Sequence, residues 1–215
     1  MTAHEGPWQG LYEAILHGDA AAAAATVQTA LAAGVEPQEL VTGYMIPSMG
    51  EVGRRFEAAE YYVPELLIAA RAMKSALDLL RPLLAERGVE PVGRVVIGTV
   101  KGDLHDIGKG LVASMLEGGG FEVTDLGIDV PAEKFLAAAE EKRAGIIALS
   151  AMLTTTMTAM KSVIELLRSA GQRERYKVIV GGAPVTEQFA AAIGADGYSH
   201  NASGAVALAR DLLAL

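Results

Sequence analysis

The chain contains no cysteine in its 215 residues, which excludes disulfides, cysteine-ligated iron–sulfur clusters and thiolate catalysis. It also lacks a long apolar run. Gly, Thr or a charged residue breaks each hydrophobic stretch well short of the roughly 20 residues that a membrane span needs. The opening residues, MTAHEGPWQGLYEAI, hold no basic segment followed by an apolar one, so no export signal is read and a cytoplasmic location is expected. Basic residues are in deficit: 18 Lys and Arg stand against 26 Asp and Glu, a net charge of -8. Without a basic stripe, nucleic acid and anionic membrane surfaces are poor partners. The common phosphate-binding patterns are missing too. No G-x-G-x-x-G follows the first strand-like run, and Gly108-Lys109-Gly110 lacks the hydroxyl residue of a Walker motif.

What is present divides into two halves. Hydrophobic residues make up 51% of the chain, enough for a sizeable core. Residues 11 to about 85 carry helical signals only. Leu11, Tyr12, Ile15 and Leu16 begin an amphipathic segment. Asp19 is placed to cap the Ala-rich stretch that follows, and Gly34 to end it. Pro37 suits the first turn of a third helix, which Pro47 should kink or end. A fourth helix is expected from Pro64 to about Leu80, with Leu67, Ala70 and Leu77 on its apolar stripe. Glu86 to Gly93 reads as a linker, which sets a helical domain at 1–88 and a second domain at 89–215. From Arg94 the pattern alternates. Strand-like runs at 94–99, 121–125, 145–149, 177–180 and, weakly, 196–198 are separated by helical segments near 107–118, 132–142, 156–170, 185–193 and 203–213. Such alternation means an α/β domain, a flavodoxin-like, doubly wound, parallel five-stranded sheet whose C-terminal edge binds ligands.

The loop after the first strand carries Asp103, His105, Gly108 and Gly110. A carboxylate two residues before a His can accept one ring N–H, which leaves the other nitrogen for a metal or for proton transfer. The two glycines permit close approach of a bulky group, or alternatively tight packing of helix on sheet. Ser150 and Thr154 follow the third strand and offer hydroxyls to a ligand or a cap to the next helix. Gly181-Gly182 follows the fourth strand and leaves room for a ligand.

These elements resemble the cobalamin-binding domain family shared by methionine synthase, several mutases and the small corrinoid proteins of one-carbon methyl transfer. The family signature is D-x-H-x-x-G, then S-x-L, then G-G. Here 41 residues separate Gly108 from Ser150, and 28 separate Met152 from Gly181. Met152 stands where the family usually has Leu. The stretch Tyr44–Gly53, with Phe56-Glu57 and Pro64-Glu65, is similar to the helical cap found with this fold, so the resemblance covers essentially the whole chain.

The resemblance implies a cobalamin or related cobamide as cofactor, methylcobalamin in the loaded state, with cobalt held from below by His105. Asp103 would bond the distal nitrogen of His105, and Thr156 would extend that relay. Asp106, Ile107, Gly108, Ser150, Met152, Thr154, Gly181 and Gly182 complete the implied cofactor-binding set. Met45, Met49, Phe56, Tyr61 and Tyr62 are candidates for the upper corrin face or for bundle core. His17 and His200 have no partner pattern, His4 lies in the N-terminal tail, and Trp8 is read as packing near the first helix. The implied function is that of a carrier. Co(I) accepts a methyl group from a substrate-specific corrinoid methyltransferase, and methyl-Co(III) gives it to an acceptor methyltransferase of the tetrahydrofolate or thiol type. A reductive activase is a further implied partner. The alternative is a cobalamin-binding sensor or storage module. Nothing in the chain names the methyl donor.

Overall fold

A computed structural model of the chain describes residues 6–214. Two compact units divide them: residues up to Pro91 with Glu117–Gly120, and Val92–Leu116 with the residues from Phe121 onward.

The first unit is helical: α1 (Gln9–Leu16), α2 (Ala20–Ala32), α3 (Pro37–Leu40), α4 (Ile46–Glu57) and α5 (Val63–Glu86). Asp19 caps α2 by accepting the Ala22 N–H at 2.9 Å, and Gly34 follows its end at a φ of 81°. The third helix ends early as an α-helix, at Leu40, several residues ahead of Pro47. A π turn at Val41–Met45 precedes it, in which the Ile46 N–H reaches back to Val41 O. Pro47 thereby falls in the first turn of α4, where its missing N–H costs nothing. The last helix outruns expectation, passing Pro82 to reach Glu86. The bond that Pro82 forgoes would go to the carbonyl of Asp78, an exposed residue that water can serve. The buried stripe of α5 runs through Leu66, Ala69, Ala70, Met73, Ala76, Leu77 and Leu80. Leu67, expected on that stripe, is exposed.

The second unit alternates β1 (Arg94–Thr99), α6 (Ile107–Gly118), β2 (Glu122–Asp125), α7 (Ala132–Glu141), β3 (Ile146–Ser150), α8 (Met157–Ser169), β4 (Lys177–Gly181), α9 (Glu187–Ile193), β5 (Gly197–Tyr198) and α10 (Ala202–Leu212). All pairings are parallel, in the order β2-β1-β3-β4-β5. The central strands are buried on both faces, as continuous Val and Ile runs require. Alternate residues divide between two cores. Val96, Ile147, Leu149, Val178 and Val180 pack with Phe135, Met160 and Leu167. Val95, Ile97, Ile146 and Ile179 pack with Leu116 and Phe121. Each such side chain contributes roughly 1.5–3 kcal/mol by leaving water.

The strand order reverses at β1. The chain steps from β1 to β2 on one side, then returns to β3 on the other. Connections leaving β1 and β3 therefore diverge and open a crevice at the C-terminal edge between them. In the register there, Thr99 lies beside Ser150 and Ser150 beside Gly181. The ends of β1, β3 and β4, which carry the three sequence elements singled out above, are thus neighbours.

Candidate functional site

The loop from β1 to α6 begins with a tight turn. Asp103 N–H donates to Val100 O at 3.1 Å, with Gly102 at a φ of 85° in the position of a type II turn that favours glycine. The turn drives the Asp103 side chain inward, where it is fully buried. A buried carboxylate is tolerated only if its lone pairs are satisfied, and here they are. Oδ1 accepts the His105 N–H at 3.1 Å and faces His105 Nδ1 at 2.7 Å. Oδ2 accepts the N–H groups of Met152 at 2.7 Å and Leu153 at 3.3 Å, and the Thr156 hydroxyl at 2.6 Å. Burial alone would raise the carboxyl, but the bonds from Thr156, Met152 and His105 outweigh it and hold the group well below the usual carboxylate range.

Asp103 is therefore an acceptor only, and the nitrogen of His105 that faces it must carry the proton. In the neutral imidazole the lone pair then lies on the other nitrogen, Nε2, and the His105 side chain is 53% exposed. A second tie fixes the same residue. The buried Thr99 hydroxyl donates to the His105 carbonyl at 2.7 Å.

Thr156 bonds Asp103, as the resemblance implied. It occupies the residue before α8, yet its side chain makes no cap bond there. Its hydroxyl also lies 2.9 Å from Leu153 O, but it has one proton, and the charged, shorter contact to Asp103 takes it. Ser150 is half-buried and Thr154 exposed. Neither hydroxyl forms a hydrogen bond with the described residues.

The glycines fall into two kinds. A Cβ added at Gly108 or Gly110 would meet nothing within 4 Å, so close packing of helix on sheet does not explain them. Gly182 has its reason inside the protein. Its φ is 127°, and a Cβ there would stand 1.9 Å from Ala151 O. At Gly181 a Cβ would stand 3.1 Å from Ser199 O. At Gly182 the backbone at the end of β3 therefore requires glycine. Asp106 and Ile107 are exposed at the start of α6.

Around His105 the surface is apolar. In this unit the exposed large hydrophobic residues among those described are Leu104, Ile107, Ile128, Met152 and Leu153. All five come from the loops and helix start that follow β1, β2 and β3. Polar ties brace the same loops. Asp129, at a left-handed φ of 53°, accepts Gly102 N–H at 2.8 Å and Lys101 Nζ at 3.0 Å. The Gly102 N–H and then the Lys101 ammonium hold its carboxyl below the ordinary range. The buried Lys109 pairs with Asp125 at the end of β2. Thr99, Asp129 and the Lys109–Asp125 pair escape a sequence reading, because no local pattern marks their contacts, which span 6, 27 and 16 residues.

Elsewhere, His17 pairs with Glu13 at 3.4 Å on the surface, and His200 is exposed beside Asn201. Met45 and Met49 are buried, Phe56 and Tyr61 half-buried and Tyr62 exposed. Trp8 is half-buried just before α1. His4 lies outside the described residues. Among the described residues no group of three or more His, Cys, Asp or Glu stands together to hold a bare metal ion. The donor set on offer is one oriented imidazole in an apolar rim with open glycines beside it. It fits a metal that brings its other ligands in a flat, largely apolar ring, set at the ligand-binding edge of a doubly wound sheet.

Comparison with known proteins agrees. A family profile described as a B12 binding domain matches residues 93–207, and a second B12 binding domain profile matches residues 8–81. The chain is 43% identical over 214 residues to dimethylamine corrinoid protein 1 of Methanosarcina mazei, covering 99% of each. It is 44% identical over 203 residues to trimethylamine corrinoid protein 1 of Methanosarcina acetivorans, covering 94% of each. The methanol:cobalamin methyltransferase complex of Methanosarcina barkeri contains a similar chain, with a TM-score of 0.86 and 30% identity over 96% of this chain and 79% of that one. A cobalamin-binding protein of Desulfitobacterium hafniense DCB-2 matches with a TM-score of 0.77 and 34% identity, over 95% and 97%. The chain belongs to the B12-binding family of corrinoid proteins, and its cofactor is a corrinoid. No helix among the described residues is long and apolar enough to cross a membrane.

Proposed function

We propose that this chain is the methyl carrier of a multi-component methyltransferase system, with His105 as the lower ligand of the corrinoid cobalt. The observation that carries this reading is the Asp103-centred network, which assigns the proton to Nδ1 and leaves Nε2 free amid exposed apolar side chains. Bound corrinoid supplies a cobalt centre that takes up and gives up a methyl group. The protein's share is to position and tune it. His105 offers one axial nitrogen. Asp103 fixes the tautomer and, as a held anion, strengthens the imidazole as a donor. Thr156 and the Met152 N–H keep that anion from taking a proton. Leu104, Ile107, Met152 and Leu153, exposed around His105, would cover the bound cofactor and exclude water from it. Gly108 and Gly110 give the cofactor's bulk a path along α6, and Ser150 and Thr154 offer their unused hydroxyls to its polar tail.

A carrier needs a loading enzyme, an acceptor enzyme and a means of reductive repair. We assign these to a substrate-specific corrinoid methyltransferase, a tetrahydrofolate- or thiol-type methyltransferase and a reductive activase. The names of the two Methanosarcina relatives support a methylamine as the first donor to test. Purified protein reconstituted with hydroxocobalamin should take up about one corrinoid per chain. Once a strong chemical reductant such as titanium(III) citrate has brought the cobalt to Co(I), the protein should accept methyl groups from a methylamine, releasing the demethylated amine, only when a cognate methyltransferase is added. Methyl uptake at an enzyme-like rate by the isolated protein would reject the carrier role.

A further inference from the structure

The loop that presents His105 is anchored from two sides. From below, the strand itself holds it: Thr99 donates to the His105 carbonyl at 2.7 Å. From the side, the segment between β2 and α7 is laced along it. Thr99 N–H donates to Gly127 O, Val130 N–H to Thr99 O, and Asp129 N–H to Asp103 O, each at 3.0 Å. The Asp129 side chain adds the Gly102 N–H at 2.8 Å and the Lys101 ammonium at 3.0 Å. A single residue thus grips the loop by its own backbone, by a backbone N–H opposite and by a charge. To do so it sits at a φ of 53°, a left-handed conformation that Asp tolerates better than most residues but still at a cost. A costly backbone conformation persists where the surroundings enforce it, and such positions gather at ligand sites.

We propose that Asp129 is a positioning residue for the lower ligand: by clamping the turn at Lys101 and Gly102 it sets the share of molecules in which His105 stands ready to bind cobalt. The proposal rests on His105 being that ligand. Asp129 bonds Lys101, Gly102 and the Asp103 carbonyl rather than the imidazole, and it acts through the turn that carries Asp103.

The test compares Asp129→Gly with Asp129→Asn. Glycine removes the clamp while accepting the backbone conformation without strain. Asparagine also tolerates it and keeps an oxygen for the Gly102 N–H, losing only the charge. In cofactor-free protein, amide exchange at residues 102–107 should quicken by about tenfold in Asp129→Gly, with β3 and β4 amides unchanged. After reconstitution with hydroxocobalamin and reduction to Co(II), the share of signal carrying an axial-nitrogen splitting should fall by about twofold or more. Asp129→Asn should stay close to the wild-type protein in both. If the wild-type protein shows the splitting and Asp129→Gly keeps it undiminished, the proposal is overturned, whatever the exchange rates do. If the wild-type protein lacks the splitting, the assignment of His105 fails instead. The clamp on the loop is then judged by exchange alone, where equal rates in the two proteins overturn it.

Discussion

In the helical unit the buried side chains are almost all apolar, although Tyr62, Val63, Leu67 and Ile68 are exposed. Leu40, Met45, Leu66 and Leu80 are buried, while Arg54 reaches Glu51 and Glu60 on the surface. At the C-terminal edge of the sheet the order is inverted. Asp103 is fully buried, and the residues around it point apolar groups outward, Leu104 at 68% and Ile107 at 77% exposure. Of the five buried polar or charged residues recorded among those described, Ser48 alone belongs to the helical unit, and Thr99, Asp103, Lys109 and Thr156 brace the ligand loops. Burying polar groups in a network is costly unless every member is satisfied, and exposing large apolar ones is costly unless something covers them. Where both occur within a few residues, the fold has traded stability for a site.

The two kinds of glycine give the sharpest way to break this contrast. Gly182→Ala should be the most damaging change, since the added carbon meets the backbone of Ala151 at a φ that L residues rarely adopt. A loss of about 4 kcal/mol or more is expected, seen as a lower midpoint of chemical unfolding with or without cofactor. Asp103→Ala comes next. It strands the donors of Met152, Leu153, Thr156 and His105, for about 3 kcal/mol in cofactor-free protein.

Charge in the helical unit should matter less and depend on pH. Glu51 takes a fork from Arg54, at 2.7 and 2.8 Å, and a further bond from Arg55 at 2.8 Å. The Arg54 bonds, opposed by some burial and joined by Arg55, lower its carboxyl from 4.5 to about 2. Because the folded value lies below the unfolded one, this stabilisation is complete above about pH 4.5 and is lost as pH falls toward 2. Glu51→Gln should therefore cost about 1–2 kcal/mol at pH 7 after allowance for solvent. Its gap from the wild-type protein should close on acidification, as urea titrations between pH 7 and 2.5 would record. Gly108→Leu should disturb the fold least, by about 1 kcal/mol or less, since its Cβ has open space. Corrinoid affinity should nonetheless fall by about tenfold or more, measured by absorbance titration. Equal cofactor binding in that variant would break the link between the open glycines and the ligand.

How much of this was legible beforehand follows the range of the interactions. Continuous Val and Ile runs at 94–99, 145–149 and 177–180 mark buried parallel strands, and the structure places strands there within a residue or so. Asp103 and His105 are two residues apart, so their pairing is visible in a line of text. Thr156 is different. No local pattern ties it to Asp103, 53 residues away in sequence, and only the family resemblance named it in advance. Asp129 lies 27 residues from Gly102 in an unremarkable loop, and Thr99 reads as the end of a strand. Around Pro47 the interruption takes the form of a π turn that no sequence pattern marks, and the last helix runs on past Pro82 through an exposed turn.

The central claim is that His105 supplies the axial nitrogen, and electron paramagnetic resonance of the Co(II) protein tests it most directly. Wild-type protein reconstituted with hydroxocobalamin and reduced by one electron should show superhyperfine splitting from one axial nitrogen. His105→Ala should bind corrinoid more weakly and lose that splitting, while its unfolding midpoint without cofactor stays close to that of the wild-type protein. If the splitting survives the substitution, the nitrogen comes from the cofactor's own base or from another residue, and the account of this site is wrong.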